Sequence, residues 1–244
     1  MTHPTGIRRD HDQDRPLLLD LFCCAGGAAM GYHRAGFTVH GVDIRPRPNY
    51  PFTFHQADAL TVLAELITSG EIARYALVHT SPPCQDKCTL TVGTNQAMGW
   101  GADHVDLVAP TRELLDASGR PYVIEQPNGK AEVRKDISLC GELFGLGVLR
   151  HRNFELGRWT TPRPAHKRHR GRVRGWRHGE YHDGPYVAAY GSGGGKASVP
   201  EMQTAMGIDW TDVREELTEA IPPAYSKWIG GAFLSSVLAP AVAA

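Results

Sequence analysis

A cysteine follows two consecutive prolines in the segment HTSPPCQDKC, which spans residues 79–88. The segment overlaps the end of YALVH, a short apolar run typical of a strand. Because each proline fixes φ and lacks a backbone donor, the chain must turn where this strand ends. Beyond the turn lie the thiol of Cys84 and the amide of Gln85. A thiolate at this place could act as a nucleophile, whereas most unpaired cysteines are small buried hydrophobes.

A glycine turn in DLFCCAGG, residues 20–27, is the second place where the sequence offers chemistry. It follows the apolar run LLLDLF and precedes a helical pattern, so its backbone N–H groups can approach a ligand closely. About twenty residues later Asp43 ends the next apolar run, where a carboxylate takes the ribose hydroxyls of a nucleotide-like cofactor. The turn differs from the dinucleotide pattern GxGxxG, so it has room for one adenosyl group.

Short strands alternating with helices would position these residues. Strand patterns lie at 17–22, 38–44, 52–58, 75–81 and 121–127, and helical patterns begin near residue 28 and lie at 58–70 and 104–119. This alternation predicts an α/β protein with a Rossmann-like, mostly parallel, doubly wound sheet. In such sheets ligands bind outside the carboxyl ends of the strands. The glycine turn, Asp43, Asp58, Cys84 and Glu125 all lie at such ends, so we expect one site at this edge.

Composition narrows the class of protein. The 244 residues are 41% hydrophobic and 21% charged, as in ordinary soluble domains. No apolar run approaches the ~20 residues that cross a bilayer, and the polar N-terminus resembles neither a signal peptide nor an anchor. Five cysteines are an odd number that does not indicate a disulfide framework. We therefore expect a cytoplasmic monomer with no membrane partner.

The net charge of zero hides a basic segment. Residues 150–178 contain ten Lys or Arg residues and a single acid, Glu155, so the remainder of the chain is net acidic. The segment is either a solvated loop or a phosphate-binding element in which Trp176 stacks on bases, and we favour nucleic acid as its partner. The residues predicted to contact it are Lys167, Arg168, Arg170, Arg172, Arg174, Trp176 and Arg177.

Histidines in and near the same segment raise the question of a metal. His166, His169, His178 and His182 could in principle bind zinc. No cysteine lies near them in the sequence, and their spacing fits no common zinc pattern. We therefore expect no metal.

Taken together and in order, these motifs resemble the cytosine-C5 DNA methyltransferases over most of the chain. DLFCCAGG is similar to the family's DLFxGxGG cofactor motif, and GVDI and QADAL to its second and third motifs. PPCQ matches the catalytic motif, and EQP stands where the family has Glu-Asn-Val. VLRHRNFE resembles the QxRxR motif, and EAIPP resembles the C-terminal Asn-Ala-Val-Pro segment.

The resemblance implies that the cofactor is S-adenosylmethionine. Phe22 would stack on its adenine, Asp43 would hold the ribose hydroxyls, and Asp58 would accept from the adenine amino group. Plainer explanations are that Phe22 is core and that Asp58 caps a helix. The other motif positions implied to line the cofactor are Asp20, Cys24, Gly26, Gly27, Ile44, Ala59, Pro83 and Glu219.

The resemblance also implies covalent catalysis on a cytosine flipped out of duplex DNA. Cys84, with Gln85 beside it, would add as thiolate to C6 and so activate C5 toward the methyl group. Glu125 would hydrogen-bond N3 and the exocyclic amine of the base. Arg152, and with less support Arg150, would orient the base and Glu125, the plainer explanation being ordinary surface charge.

The sequence departs from the family in several places. Cys24 replaces a glycine of the cofactor motif, Glu219 stands in place of an Asn near the same end of the cofactor, and Val148 replaces the usual Gln. Only a short, Gly- and Arg-rich stretch separates Phe154 from Glu201, where the family has a target-recognition domain. Because direct readout needs a rigid element in a groove, we expect a short recognition sequence and strongly salt-dependent affinity.

We therefore expect a compact, phage-like member of the family with four parts. These are a tail at 1–15, a cofactor-binding and catalytic domain at 16–158, a reduced basic target-recognition segment at 159–199, which is the basic segment referred to below, and C-terminal helices at 200–244. The same chemistry on RNA is the near alternative, because one branch of the family methylates tRNA. A free nucleotide as substrate would leave the basic segment without a partner. A non-catalytic nucleic-acid-binding protein would have no chemical reason to keep Cys84, Glu125 and Arg152.

Overall fold

One seven-stranded sheet forms the centre of the protein. The computed structural model describes residues 15–83, 106–129, 133–177, 179–190 and 196–238. The strands are β1 (Leu17–Leu21), β2 (Thr38–Asp43), β3 (Thr53–Gln56), β4 (Tyr75–Thr80), β5 (Tyr122–Pro127), β6 (Ile137–Leu139) and β7 (Arg152–Gly157). Their order is β3-β2-β1-β4-β5-β7-β6. The first five strands pair in parallel, and β7 runs antiparallel to β5 and β6. The predicted mostly parallel α/β fold is confirmed.

Helices connect and flank the strands. They are α1 (Gly27–Ala35), α2 (Ala59–Ser69), α3 (Val108–Ser118), α4 (Val199–Met206), α5 (Arg214–Glu219) and α6 (Pro223–Leu238), with short 3-10 turns at Glu71–Arg74 and Gly141–Phe144. Side chains and glycines define several ends: Asp58 caps the start of α2, and Gly70 ends it in the left-handed conformation. Within the described ranges, no helix is both long and apolar enough to cross a bilayer.

Both faces of the sheet are covered, as the near-continuous apolar sequence of β1 requires. Leu18 belongs to a buried cluster with Tyr32 of α1 on one face. Leu19 belongs to a second cluster with Leu63 of α2 and Leu115 of α3 on the other. Successive strand residues point to opposite faces, so a single buried strand supplies both layers of the core.

Glycines in α1 allow the C-terminal helix to pack against it closely. A Cβ on Gly31 would lie 2.1 Å from the carbonyl oxygen of Pro223 and 2.0 Å from the Ser226 hydroxyl. A Cβ on Gly27 would lie 2.4 Å from the carbonyl oxygen of Ile221. The chain around α6 is therefore held directly against the turn and helix that follow β1.

The basic segment contains more structure than its composition indicates. Strands β8 (Gly175–Arg177) and β9 (Glu180–His182) pair as an antiparallel hairpin. Beyond the hairpin, Tyr186 is fully buried, and Val187 and Ala189 pack in a third apolar cluster with Met202 of α4. Sequence reasoning missed these elements because the strands are three residues long and lie among Gly, Pro and Arg.

Candidate active site

The turn after β1 has an unusual backbone conformation. Phe22, Cys24 and Gly26 have φ values of 57°, 47° and 82°, all in the left-handed region. For the two non-glycine residues this conformation costs about 1–3 kcal/mol each and is typical of ligand-binding turns. The Cys24 N–H donates to Oδ2 of Asp43 at 3.0 Å, which ties the turn to the end of β2. The predicted cofactor turn and the acid after it are thus in direct contact.

Asp43 is buried and held from several sides. Its Oδ1 accepts from the Arg45 N–H at 2.9 Å, and Arg47 forms an ion pair with Oδ2 at 3.1 Å. A carboxylate has about four acceptor positions, so Asp43 can still accept from hydroxyls of a ligand. The neighbouring Ile44 is 66% exposed and presents an apolar surface beside it.

Asp20 lies at the same edge with an unused acceptor. Its side chain is 1% exposed, and no described group donates to its Oδ2. Burial, followed by the charge of Asp43, raises the pKa of Asp20 well above its usual value. Buried polar atoms are normally hydrogen-bonded, so an unpartnered one beside a strained turn marks a place for a ligand.

Several other predicted cofactor residues lie around the same edge of the sheet, and they differ in burial and in hydrogen-bond partners. Asp58 accepts from the N–H and the hydroxyl of Thr61 at 2.8 and 2.9 Å, so it serves as the N-cap of α2. Phe22 is half-buried against the cluster under α2 and α3. Ala59 is buried, and Glu219, the last residue of α5, is exposed but contacts the Cys24 thiol.

Glu125 and Arg152 form a buried ion pair where β5 and β7 are neighbours. Arg152 Nε lies 2.7 Å from Glu125 Oε1, and Glu125 is 5% exposed. No described N–H or O–H group is aligned to donate a hydrogen bond to this oxygen. Burial raises the pKa of Glu125, opposed by Arg152, Arg150 and a hydrogen bond from Ser81. The carboxyl group is therefore poised to exchange a hydrogen bond or a proton with a ligand.

The chain that leads to the predicted nucleophile is fixed beside this pair. Gln126 Nε2 donates to the carbonyl oxygen of Pro82 at 2.7 Å, which joins the end of β5 to the segment after β4. Pro83 follows and is exposed. Cys84 and Gln85 themselves lie outside the described residues.

A series of buried polar contacts that the sequence did not reveal leads to Glu125. The Tyr32 hydroxyl contacts Nδ1 of His79 at 3.0 Å, and His79 Nε2 contacts the Ser81 hydroxyl at 3.1 Å. Burial lowers the pKa of His79 to about 3, so its ring is neutral. Because Ser81 donates a hydrogen bond to Glu125, the contacts from Tyr32 through His79 and Ser81 help to fix the position of the carboxyl group. His79 is hidden in an apolar run of the sequence, which offers no signal of this role.

Arg150 contacts the C-terminal part of the chain. Its guanidinium donates to three backbone carbonyls, those of Ala220 at 2.8 Å, Ala189 at 2.6 Å and Thr218 at 2.6 Å. The residue has a left-handed φ of 35°. Burial and the charge of Arg152 lower the pKa of Arg150. Three of its five N–H donors thus anchor the C-terminal segment, and its predicted contact with the base stays a prediction.

The five cations predicted to bind nucleic acid within residues 167–174 fall into two groups. Arg170, Arg172 and Arg174 are paired with Glu142 at 2.9 Å, His182 at 2.9 Å and Glu201, respectively. Lys167 and Arg168 are exposed and form no ion pair with any described residue.

The hairpin β8–β9 presents aromatic rings to solvent. Trp176 and Tyr181 are 63% and 49% exposed, with ring centroids 5.7 Å apart. Arg177 belongs to the same strand as Trp176. Proteins that bind single-stranded nucleic acid stack bases on exposed aromatic rings of this kind.

Comparison with solved structures identifies the fold. The S. pombe Dnmt2 methyltransferase matches 93% of this chain and 99% of its own, with 14% identity and a TM-score of 0.50. The Entamoeba histolytica methyltransferase EhMeth matches 92% and 99%, with 10% identity and a TM-score of 0.50. A Spodoptera frugiperda DNMT2 mutant aligns over 57% of this chain and about half of its own length (48%), with 16% identity and a TM-score of 0.42.

No protein-family model matches the chain, and no curated protein matches it. At the identities found, the structural likeness concerns the architecture alone, and the chain shares the Rossmann-like fold of the S. pombe and Entamoeba histolytica methyltransferases.

Proposed function

We propose that this protein transfers the methyl group of S-adenosylmethionine to C5 of cytosine in DNA, with Cys84 as the nucleophile. The observation that carries the proposal is the buried pair of Glu125 and Arg152 beside the chain that leads to Cys84. A thiol nucleophile and a carboxyl group of raised pKa together suit addition to a ring that must gain electron density before it reacts.

Each residue has a definite part in the proposed reaction. Cys84 adds as thiolate to C6, and the electron pair of the C5–C6 bond becomes available at C5. Glu125 donates to N3 and accepts from the exocyclic amine, so it compensates the charge that develops on the ring. Arg152 orients Glu125 through the ion pair. After methyl transfer the C5 proton leaves to a base or water, the C6–S bond breaks, and Cys84 is released.

The residues around the turn fit the cofactor. S-adenosylmethionine supplies a methyl group on a positively charged sulfur, which is the electrophile in this reaction. The exposed Ile44 offers its adenine an apolar surface, and Asp43 has acceptor positions left for ribose hydroxyls. The unpartnered Oδ2 of Asp20 offers a further acceptor. Backbone strain at Phe22 and Cys24 is of the kind that persists at ligand-binding turns.

The basic segment favours nucleic acid over a free nucleotide as substrate. Exposed cations at Lys167 and Arg168 suit phosphates, and the exposed rings of Trp176 and Tyr181 suit bases. A cytosine in a duplex must be flipped out to reach Glu125. The same surface also suits folded RNA, so the substrate test includes RNA.

A trapping assay tests the proposal. Duplex DNA containing 5-fluorocytosine is incubated with the protein and S-adenosylmethionine, and adducts that survive denaturant are counted. Fluorine cannot leave C5 as a proton does, so the reaction stops with cysteine bonded to C6. We expect an adduct with the native protein and with Cys88→Ser, and none with Cys84→Ser.

The outcomes separate the alternatives. An adduct on fluorinated tRNA but not on DNA would replace DNA by RNA as the substrate. An adduct that persists in Cys84→Ser would refute the assignment of the nucleophile. No adduct on either nucleic acid would overturn the proposed chemistry and leave a nucleic-acid-binding protein with this fold.

A further inference from the structure

Metal-binding side chains from three parts of the chain converge beside β7. Cys140 directly follows β6, His151 directly precedes β7, and His166 and His169 belong to the basic segment. One ligand atom from each of these residues lies within 4.8 Å of the corresponding atom of every other. None of the four residues belongs to the predicted cofactor or catalytic set, although His151 adjoins Arg152, which pairs with Glu125.

The spacing of the donor atoms approaches that of a metal site. His151 Nε2 lies 3.1 Å from His166 Nε2, and Cys140 Sγ lies 3.4 Å from His169 Nε2. In tetrahedral zinc sites with Zn–N of about 2.0–2.1 Å and Zn–S of about 2.3 Å, neighbouring ligand atoms are roughly 3.3–3.6 Å apart. Two of the donor-atom distances are therefore near the required length, and the others, all within 4.8 Å, need to shorten by no more than about 1.5 Å.

The arrangement of the rings also indicates a shared ligand. The centroids of His151, His166 and His169 are 5.0–5.3 Å from one another. Each neutral imidazole has one nitrogen lone pair to offer, and a cation at the centre satisfies three such lone pairs together. Nitrogen and sulfur donors are the ligands that zinc prefers, whereas magnesium and calcium take oxygen.

We propose that Cys140, His151, His166 and His169 bind one Zn²⁺ in a closed, structural site. The thiol of Cys140 releases its proton to solvent and binds as thiolate, and the three histidines bind as neutral imidazoles. Four protein ligands leave no open position for a substrate, so the metal serves structure rather than catalysis.

The fold holds three of the four ligands in place. Antiparallel pairing of Leu139 with Arg152 brings the next residues, Cys140 and His151, face to face. The segment carrying His169 is anchored by the fully buried Tyr186, whose hydroxyl accepts from the Arg170 N–H at 3.2 Å. His166 is the exposed member, so it completes the site from the solvent side.

Zinc at this place would connect two functional regions. His151 is the neighbour of Arg152, which pairs with Glu125, and His166 is the neighbour of Lys167. The metal would therefore fix the start of the basic segment against the strand that carries the orienting arginine. This consequence rests on the proposed function, whereas the metal site itself does not.

Metal analysis of the full chain tests the site. The protein, purified without a histidine tag, is loaded with zinc, dialysed against a mild chelator and measured by mass spectrometry of the bound metal. We expect close to one zinc per native chain and at least a tenfold loss in Cys140→Ser and His166→Ala. His55→Ala, which removes an exposed histidine on β3 outside the cluster, is expected to retain the metal.

Cobalt and thermal unfolding give readouts independent of enzymatic activity. Cobalt loading of the native chain is expected to produce the visible bands of a tetrahedral site and a thiolate charge-transfer band that Cys140→Ser lacks. A strong chelator is expected to lower Tm of the native protein but not of folded His166→Ala. Native protein that retains no metal, or equal retention in His166→Ala, would overturn the zinc site. Either result leaves the trapping experiment on Cys84 unaffected.

Discussion

The Cys24 thiol donates to Oε2 of Glu219 at 3.4 Å and joins the turn after β1 to the end of α5. Burial and the neighbouring charge of Glu219 raise the pKa of Cys24 to about 12, so the thiol stays protonated and remains a donor. These are two of the positions at which the sequence departs from the methyltransferase motifs. Because the two side chains contact each other, the two departures from the motifs are structurally linked.

Replacing this pair tests its effect on the cofactor. Cys24 has a φ of 47°, which glycine adopts without strain, and Glu219 places a carboxylate next to the turn. We expect the double variant Cys24→Gly/Glu219→Asn to bind S-adenosylmethionine about five- to tenfold more tightly, or roughly 1 kcal/mol. Titration calorimetry on both single variants and the double variant measures this gain. Additive single effects would argue that the two side chains do not act as a pair.

Loss of the Glu125 carboxyl should impair catalysis while leaving cofactor binding intact. The Glu125→Gln variant keeps the shape but cannot supply a proton to the ring, and it leaves Arg152 without its carboxylate partner. Removing one preorganised hydrogen-bonding group of this kind costs about 10²–10³ in rate. We expect adduct formation with fluorinated DNA to slow by this factor, measured in single-turnover assays. Unchanged rates would exclude Glu125 from the chemistry.

The pH dependence of the same step follows from the raised pKa of Glu125. If the protonated carboxyl donates to N3, adduct formation falls as pH rises through this raised value. The Glu125→Gln variant has no such group, so its slower rate should lack this particular decrease. A single-turnover rate profile of both proteins checks the expectation, and the same decrease in both would assign it to another group.

Parts of the site could be predicted because they depend on local sequence. Strands β1, β2, β4 and β5 are apolar runs that end at glycine, proline or acidic residues, so their carboxyl ends are visible without a structure. The contact of Arg152 with Glu125 is implied by the resemblance alone, and the antiparallel pairing of their two strands brings the side chains within 2.7 Å. For Asp58 the sequence could not decide between two roles, because an aspartate at this position can cap α2 and can also contact a cofactor.

Other parts depend on contacts between residues distant in the sequence. Arg150 looked like a charged residue at a surface, but its donors meet carbonyls contributed by residues 189, 218 and 220. The cysteine–histidine cluster depends on the three-residue strand β6, which is too short to produce a pattern. His166 and His169 therefore lacked a visible cysteine partner, although Cys140 lies beside them in space.

Asp20 should limit the stability of the protein at neutral pH. Burial raises the pKa of Asp20 well above the ordinary value. Below the unfolded-state pKa of about 3.9 the group is protonated in both states and does not destabilise the fold. The free energy of unfolding then falls as pH rises from there through the higher folded-state pKa. We expect Asp20→Asn to be more stable than the native protein at pH 7 by at least about 1 kcal/mol. The gain should disappear near pH 4, and urea titrations at both pH values measure it. A gain independent of pH would contradict the assignment to this carboxyl group.

Lys167 and Arg168 should carry salt-dependent binding of nucleic acid more than Arg174 does. Both are exposed and have no ion-pair partner among the described residues, whereas Arg174 is already paired with Glu201. Each phosphate contact contributes about 0.9 to the slope of log K against log salt on duplex DNA. We expect the double variant Lys167→Ala/Arg168→Ala to lose between one and two from this slope, and Arg174→Ala to lose less than half a unit. Binding measured by fluorescence anisotropy over a range of salt concentrations gives both slopes. Because the slope counts released counterions, equal slopes in all three proteins would show that the phosphates are bound elsewhere, even if every variant bound more weakly.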